Sequence, residues 1–424
     1  MKRYDITNLK TGRALSKETL VLILAGGRGS RLYELTDNRA KPAVYFGGSR
    51  RIIDFPLSNC INSNLNHIGV ITQYAAHSLI RHVQHGWSFL STELGDFIDL
   101  LPARQQIDDT TWYRGTADAI YQNIEIIKEH YRPKHVLILA GDHIYKMDYR
   151  KMLIDHIESG LKCTVSCIEV PKEEASGFGV MAVDKNLHVT GFVEKPEHPP
   201  EMPDKPGMAL ASMGIYVFDI DYLCEKLHEC VAKEDTSHDF GNDIIPRTVR
   251  DRQLYAHSFD KSCEGRNPHG TSYWKDVGTL DSYWSANMDL LSESPQLDLF
   301  DEKWLIRGLP SQVNPSKFYY TDPDCQGMTN SIISGSCVIK DATITGSVLF
   351  DHITVDAGSV IKECVILPEN NIGKNCVLSK CILDRHLTIP DGIQIGVDPE
   401  QDKKRFRVSE EGVILVNAAM LAKL

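Results

Sequence analysis

Two stretches of this chain nearly copy each other: Val21-Leu-Ile-Leu-Ala-Gly-Gly27 and Val136-Leu-Ile-Leu-Ala-Gly-Asp142. Each is an apolar run that ends in a small residue and then glycine. A run without polar alternation predicts a parallel strand buried on both faces, which commits the chain to an α/β architecture. In open α/β sheets, ligands bind just beyond the carboxyl ends of such strands. The first run delivers a basic loop, Gly26-Gly27-Arg28-Gly29-Ser30-Arg31, and the second delivers a carboxylate, Asp142. One end of one sheet then holds a phosphate cradle and a metal-type acid, the layout of a phosphoryl- or nucleotidyl-transfer site.

At 424 residues the chain has room for two domains. A net charge of -11 argues against nucleic acid as the main partner. The 11 cysteines form no CxxC pair, which fits a reducing cytosol and predicts a cytoplasmic protein. There is no apolar run of ~18 residues for a membrane span and no apolar signal core near the start. Residues 1–19 read as a polar N-terminal extension. From 20 to 293, strand-like runs alternate with helical stretches. Further strands are expected at Gly69–Thr72, Thr164–Ile168 and Gly214–Phe218, and a helix after Thr116 with the stripe Ile120, Ile124, Ile127, Tyr131. Residues 294–328, rich in Pro, Asp and Gln, read as a linker.

The period changes in 329–424. Ile332, Val338, Ile344 and Phe350 stand six apart; Val360, Ile366, Ile372 and Leu378 repeat the spacing, and Leu383, Ile389 and Ile395 repeat it again. Hexads predict a left-handed parallel β-helix whose stacked coils bury the repeating aliphatic. A β-sandwich is the plainer alternative, but fixed hexads in three phases favour the helix. Cys337, Cys364, Cys376 and Cys381 fall in this region and read as small buried hydrophobes.

The glycine loop fails the GxGxxG fingerprint and lacks the GK[ST] ending of a Walker loop. A plain strand-to-helix turn is its bland reading. Three glycines, two arginines and the nearby Lys41-Pro42 favour phosphate binding, helped by the dipole of the helix expected to follow. A lone Asp after a strand is more often a cap or turn residue. Beside a phosphate loop, Asp142 suits Mg²⁺, with Asp276 of Trp274-Lys-Asp-Val-Gly278 as a second acid. In Phe192-Val-Glu-Lys-Pro196, Glu194 and Lys195 form either an exposed ion pair of little worth or a sugar-phosphate contact. Trp112-Tyr-Arg-Gly-Thr116 reads as packing or as one wall of a base and sugar pocket beside Gly115.

Taken in order, Leu24-Ala-Gly-Gly-Arg-Gly-Ser-Arg-Leu32, Arg39-Ala-Lys-Pro-Ala43, Trp112-Tyr-Arg-Gly-Thr-Ala-Asp118, Ala140-Gly-Asp-His-Ile-Tyr145, Phe192-Val-Glu-Lys-Pro196 and Trp274-Lys-Asp-Val-Gly-Thr279 resemble bacterial ADP-glucose pyrophosphorylases. Arg51-Ile-Ile-Asp-Phe55 and Ser237-His-Asp-Phe-Gly241 narrow the resemblance to the ADP-glucose branch. It implies a dinucleotide-binding-like nucleotidyltransferase domain, a C-terminal left-handed β-helix, a homotetramer and allosteric control in glycogen synthesis. ATP and glucose 1-phosphate would be the substrates and Mg²⁺ the cofactor. By the same resemblance, Gly26, Gly27, Gly29, Ser30 and Gly115 meet the nucleotide, and Arg31, Lys41 and Asp142 serve catalysis. Asp142 and Asp276 hold the metal. Tyr113, Gly179, Glu194, Lys195 and Ser212 meet the sugar phosphate. Gln73 and Trp112 couple regulation to the substrates, and Arg39, Tyr45, Arg51 and Arg385 receive phosphorylated or nucleotide effectors.

In relatives from enteric bacteria, effector phosphates meet a basic cluster between the N-terminal region and the β-helix. This chain departs from it at Asn38, Tyr45, His130 and the C-terminus, where only Lys423 remains of several cations. Three rivals stand beside this reading. One is a UDP- or dTDP-sugar enzyme. The second is a β-helix acyltransferase, with His352 and His386 as its only candidate histidines. The third is a non-catalytic subunit, against which Asp142 and Lys195 speak.

Overall fold

The structure, a computed structural model, describes residues 15–423 apart from 28, 74–75, 104–112, 234, 266–269, 271, 311, 322–324 and 326. The two copied runs become adjacent parallel strands, Thr19–Leu24 and His135–Ala140, in register from Thr19 opposite His135 to Leu24 opposite Ala140. His67–Thr72 and then Phe97–Pro102 extend the sheet in parallel on one side. On the other side Met208–Asp219 runs antiparallel to His135–Ala140 and carries Gly179–Val183 and Val189–Glu194 outward. Cys163–Pro171 and Leu254–Ser258 complete nine strands.

Apolar side chains leave both faces of this sheet. Leu20, Leu22, Ile138 and Phe218 pack with Ile120 and Ile127 on one face. Val21, Ile23, Leu137 and Leu139 pack with Met152 and Phe259 on the other. Helices cover both sides, so alternate residues of one strand feed two cores and the strands show no polar alternation. The single helix expected after Thr116 is instead three pieces, Thr116–Tyr121, Ile124–Ile126 and the wider-wound Ile127–Tyr131. Asn123 interrupts it at φ −103°, ψ 4°. Its side-chain amide donates to the Ala119 carbonyl and to the Tyr113 hydroxyl.

Residues 294–328 are more than a spacer. Leu297, Trp304 and Ile306 are buried, Trp304 Nε1 donates to Asn59 Oδ1 at 2.8 Å, and Arg307 N donates to Ser58 Oγ. The segment ties the two domains together. Its last part, Lys317–Tyr319, already pairs with Val338–Lys340 as a first coil. Low periodicity hid this because few of its residues face inward.

Three parallel sheets of short strands then stack into a left-handed β-helix that runs to Ile414–Val416, longer than the ~65 residues that the hexads alone suggest. The inward columns are Ile339, Val355, Ile372 and Ile389; Ile344, Ile361, Leu378 and Ile395; and Leu349, Ile366, Leu383 and Val416. The expected Val338 and Val360 are off by one position; Ile339 and Ile361 fill the core in their place. Cys337, Cys364, Cys376 and Cys381 are buried free thiols in this core. Phe46, Tyr283 and Leu290 of the first domain share one apolar cluster with Leu349, Phe350 and Leu383 of the second. Burying a side chain of this size contributes about 1.5–3 kcal/mol. Among the described residues no helix is long and apolar enough to cross a membrane.

Candidate active site

Because Leu24 and Ala140 end level, the loops that follow them open on the same edge. Gly141 N donates to Leu24 O and Ala25 N to Ile71 O, which holds the edge together. The loop after Leu24 passes Gly26 and Gly27 and reaches Gly29 at φ 62°. A Cβ there would stand 2.9 Å from Lys41 Cβ, so only glycine lets the loop lie on Lys41. The element that follows, Ser30–Thr36, is a 3-10 turn broken at Tyr33 rather than the helix expected from the sequence. Its dipole is therefore weak, and any phosphate binding falls to loop amides and cations. Ser30 and Arg31 are exposed at the rim.

Asp142 and Asp276 are brought together by a second hairpin-like pairing. Trp274–Asp276 runs antiparallel to His143–Tyr145, with Asp276 opposite His143. Lys41 lies between the two acids, its Nζ 2.6 Å from Asp276 Oδ1 and 3.0 Å from Asp142 Oδ2. Arg31 approaches Asp276 at 4.0 Å. Burial pushes the Lys41 ammonium down, but Asp142 and Asp276 more than offset it and hold it above its ordinary 10.5. Burial pushes Asp142 up, yet His143 and Lys41 leave it below its ordinary 3.8. Asp142 and Lys41 thus keep their charges at the sheet edge, where Asp276 also meets the ammonium. His143 stands with the two acids, its ring edge-on to Trp274 at 5.0 Å.

Asp142, His143, Trp274 and Asp276 line a cleft of about 480 Å³, with Lys41 buried against the two acids. Gly26, Gly27, Gln73, Tyr113, Gly115, Asp142, Gly179, Glu194, Ser212 and Asp276, all expected from the sequence, line it. Gln73 lies against Gly26 and its amide reaches Tyr113 O at 3.4 Å, bridging the glycine loop to the segment before Gly115. Tyr113 spends its hydroxyl on Asn123, leaving its ring to the cleft. Glu194 is raised above its ordinary 4.5 by burial, with Lys195 opposing and Asp239 adding to the rise. Lys195 is exposed at the mouth with φ 47°, its N–H bonded to Phe178 O. Trp112 lies outside the described residues.

Sequence reasoning gave no role to Tyr216, Asp239, Phe240 and Phe178, which also line the cleft. The quoted motif Ser237–Gly241 was the available signal. It folds onto Gly115: Ala117 N donates to His238 O at 2.8 Å, Thr116 Oγ1 to Asp239 Oδ2 at 2.9 Å, and Phe240 N to Thr116 Oγ1 at 3.0 Å. A Cβ on residue 115 would stand 2.3 Å from His238 O.

The expected effector residues gather elsewhere, at the seam between the domains. Arg51 donates to Ser78 and to the Tyr45 hydroxyl, and its guanidinium stacks over the Tyr45 ring at 4.7 Å. Burial pulls Arg51 below its ordinary 12.5, and Arg385 close by adds to that. Among the described residues Arg385 has no acidic side-chain partner; its backbone N–H bonds Asp384 Oδ1. Arg39 does not share this freedom. It is buried and grips Asp384 with Nη2 at 2.8 and 3.0 Å. His386 pairs with Glu369 on the exposed coil corner, and His352 sits at another corner at φ 58°.

The family model described as "Nucleotidyl transferase" matches residues 20–293, and one described as "GlmU-like, C-terminal hexapeptide" matches residues 314–416. The chain is 66% identical over 410 residues to a glucose-1-phosphate adenylyltransferase of Mannheimia succiniciproducens, covering 97% of this chain and 94% of that one. It is 64% identical over 420 residues to one of Pasteurella multocida, with 99% and 96% covered. A relative of the same name from Haemophilus influenzae is 65% identical over 408 residues, with 96% and 93% covered.

Proposed function

The chain belongs to the glucose-1-phosphate adenylyltransferase family, and from that premise we propose that it transfers the adenylyl group of ATP to glucose 1-phosphate, forming ADP-glucose and pyrophosphate. One observation carries the reading: Asp142 and Asp276 meet around Lys41 and line a cleft that Glu194, Tyr113 and Asp239 also line. A phosphate oxygen of glucose 1-phosphate attacks the α-phosphorus of ATP in line, and the bond to pyrophosphate breaks as the new P–O bond forms. No proton need be removed from a phosphate dianion, so the protein's work is positioning and charge compensation. The glycine loop and Arg31 face the triphosphate. Glu194 accepts from sugar hydroxyls, and Lys195 reaches the sugar phosphate from the mouth.

The donor set fits Mg²⁺. Two carboxylates converge with a cationic group already between them, and Mg²⁺ takes one or two carboxylates together with substrate phosphates. Bound by Asp142 and Asp276, it would organise the triphosphate and offset charge on the leaving group. We place the enzyme in the cytoplasm as a homotetramer in glycogen synthesis; its eleven free thiols support a reducing compartment. Phe318, Tyr319, Tyr320 and Met328, all exposed on the first coil, support self-association. Effector phosphates would meet Arg385 and Arg51 at the seam.

The test is turnover of ATP, glucose 1-phosphate and Mg²⁺, read as pyrophosphate release and ADP-glucose formation, with UTP and dTTP as competitors for the nucleotide site. ADP-glucose is expected as the main product. Folded Asp142→Asn should lose about 10²–10³-fold in kcat or more. Near-normal turnover of that variant, or a preference for UTP or dTTP, would overturn the assignment.

A further inference from the structure

The strand that carries Asp142 beyond its carboxyl end begins at His135, roughly 20 Å away for six extended residues. There Asp219 lies opposite His135 in the antiparallel register. Helix Tyr149–Ser159 turns His156 onto the same spot. His135 Nδ1 stands 3.1 Å and His156 Nε2 3.3 Å from one oxygen, Asp219 Oδ1. The two rings meet edge-on, with centroids 5.4 Å apart and planes at 86°. One ligating atom from each of the three residues lies within 4.8 Å of the others.

The plain reading is a carboxylate hydrogen-bonded by two histidines, and His156 Nε2 fits it. His135 Nδ1 does not. It is shielded from solvent and meets Asp219 Oδ1 at 3.1 Å off the line of a well-formed hydrogen bond. Burial pushes the Asp219 carboxyl up, and His135 is close enough still to help hold it below its usual range. A buried ring nitrogen left so calls for an explanation. Two donors that lie close without pointing at each other can share a third atom. A tetrahedral ion with bonds of ~2.0–2.1 Å sets its ligand atoms about 3.3 Å apart, close to the spacing seen here.

The outer contacts are those of a metal site. His156 Nδ1 bonds Thr164 Oγ1 at 2.9 Å, which fixes the ring and leaves Nε2 toward the centre. Lys162 Nζ takes the other carboxylate oxygen, Oδ2, at 2.7 Å and leaves Oδ1 to the histidines. His156 and Thr164 are fully buried, whereas Asp219 is part-exposed and gives a way in. We propose that His135 Nδ1, His156 Nε2 and Asp219 Oδ1 form a second metal site that takes Zn²⁺ or a similar borderline transition ion. Two imidazoles and one carboxylate select such ions over Mg²⁺ and Ca²⁺. Three protein ligands leave a position for water. The ion would pin the start of His135–Ala140 to the end of Met208–Asp219 and to the helix packed over them, a brace far from the cleft.

The test uses the full chain, stripped with a chelator and titrated with Zn²⁺ alone by calorimetry and with Co²⁺ by visible absorption. Asp142 and Asp276 could take the same ions, so Asp142→Asn serves as the control. One equivalent that survives Asp142→Asn, produces a Co²⁺ band and weakens at least tenfold in His135→Gln and Asp219→Asn is the expected result. Thr164→Val, which keeps the shape of a buried residue and removes only the outer hydrogen bond, should weaken it about 10- to 100-fold; it carries the test if the ligand variants fail to fold. No equivalent surviving Asp142→Asn, or undiminished affinity in Thr164→Val, would overturn the proposal.

Discussion

Lys195 stands at the cleft mouth in a left-handed backbone conformation that a lysine rarely adopts, held by its N–H bond to Phe178 O. Its ammonium is close enough to Glu194 to oppose the upward shift that burial gives that carboxyl. Lys195→Ala should therefore raise KM for glucose 1-phosphate far more than KM for ATP, as steady-state kinetics with each substrate varied will show. A larger shift for ATP would move Lys195 to the nucleotide side. A second residue-scale expectation concerns His257, which is fully buried between Asp155 Oδ2 at 2.8 Å and Ser262 Oγ at 2.9 Å. Burial holds it below its ordinary 6.5, although Asp155 opposes the shift. Above 6.5 the ring is neutral folded or unfolded and pH has no effect through it. As pH falls below 6.5 the unfolded chain takes a proton that the folded one refuses, so stability drops until the folded pKa is reached. Melting curves between pH 5.5 and 7.5 should show this slope, and His257→Gln should flatten it. The site residues that could be read from the chain are those beside a buried strand or in a short motif, such as Asp142, Glu194 and the glycines. Tyr216 left no signal, because antiparallel pairing brings it to the cleft; Asp239 stood in the motif Ser237–Gly241, but its place in the cleft depends on the contact between residues 116 and 239, which the chain order does not show.

Elements fail at their closest approaches. The turn before Thr116–Tyr121 leaves no room at Gly115, where a Cβ would stand 2.3 Å from His238 O. Gly115→Ala must push the Ser237–Gly241 turn away and with it Asp239 and Phe240. About 1–3 kcal/mol of destabilisation by denaturant titration is expected, together with loss of turnover larger than that change explains. A stable but inactive variant would assign Gly115 to the substrate; an active one would deny it both roles. The strand positions were legible because two faces of apolar packing leave an unmistakable run. The break at Asn123 was not, since the residue acts through its side-chain bonds to Ala119 and Tyr113. The β-helix was legible as a period but not as a phase. Six-residue spacing marks one column per side, yet Val338 and Ile339 both suit it, and only the stacked pairs choose Ile339.

At the scale of the whole molecule the two domains share an apolar cluster and the buried ion pair of Arg39 with Asp384. Removing one partner of such a pair strands the other charge. Asp384→Ala should cost about 3–5 kcal/mol, read as a lower denaturation midpoint, while Arg39→Met, which removes the charge and keeps the bulk, should cost less than the deletion of its partner. Arg39 is thereby committed to holding the seam, and Arg385, one residue beyond Asp384, is a cation close to Arg51 that has no acidic side-chain partner among the described residues. Each charge-assisted phosphate contact is worth about 1.5–3 kcal/mol. With Asn38 where enteric relatives often carry a lysine, Tyr45 where a histidine is usual, and Arg39 already paired, the proposed effector seam would offer a bisphosphate fewer contacts than in those relatives, while His130 lies away from it, beside Thr19, His67 and Phe97. Activation by fructose 1,6-bisphosphate is expected to be weaker than in those relatives. Arg385→Ala should raise the half-activating concentration roughly tenfold or more, the range one such contact allows, and leave unactivated kcat unchanged because Arg385 is remote from the cleft. Activation curves for the parent and for Arg385→Ala decide it: half-saturation at micromolar effector that is identical in both would place the effector elsewhere and return Arg385 to an ordinary surface role.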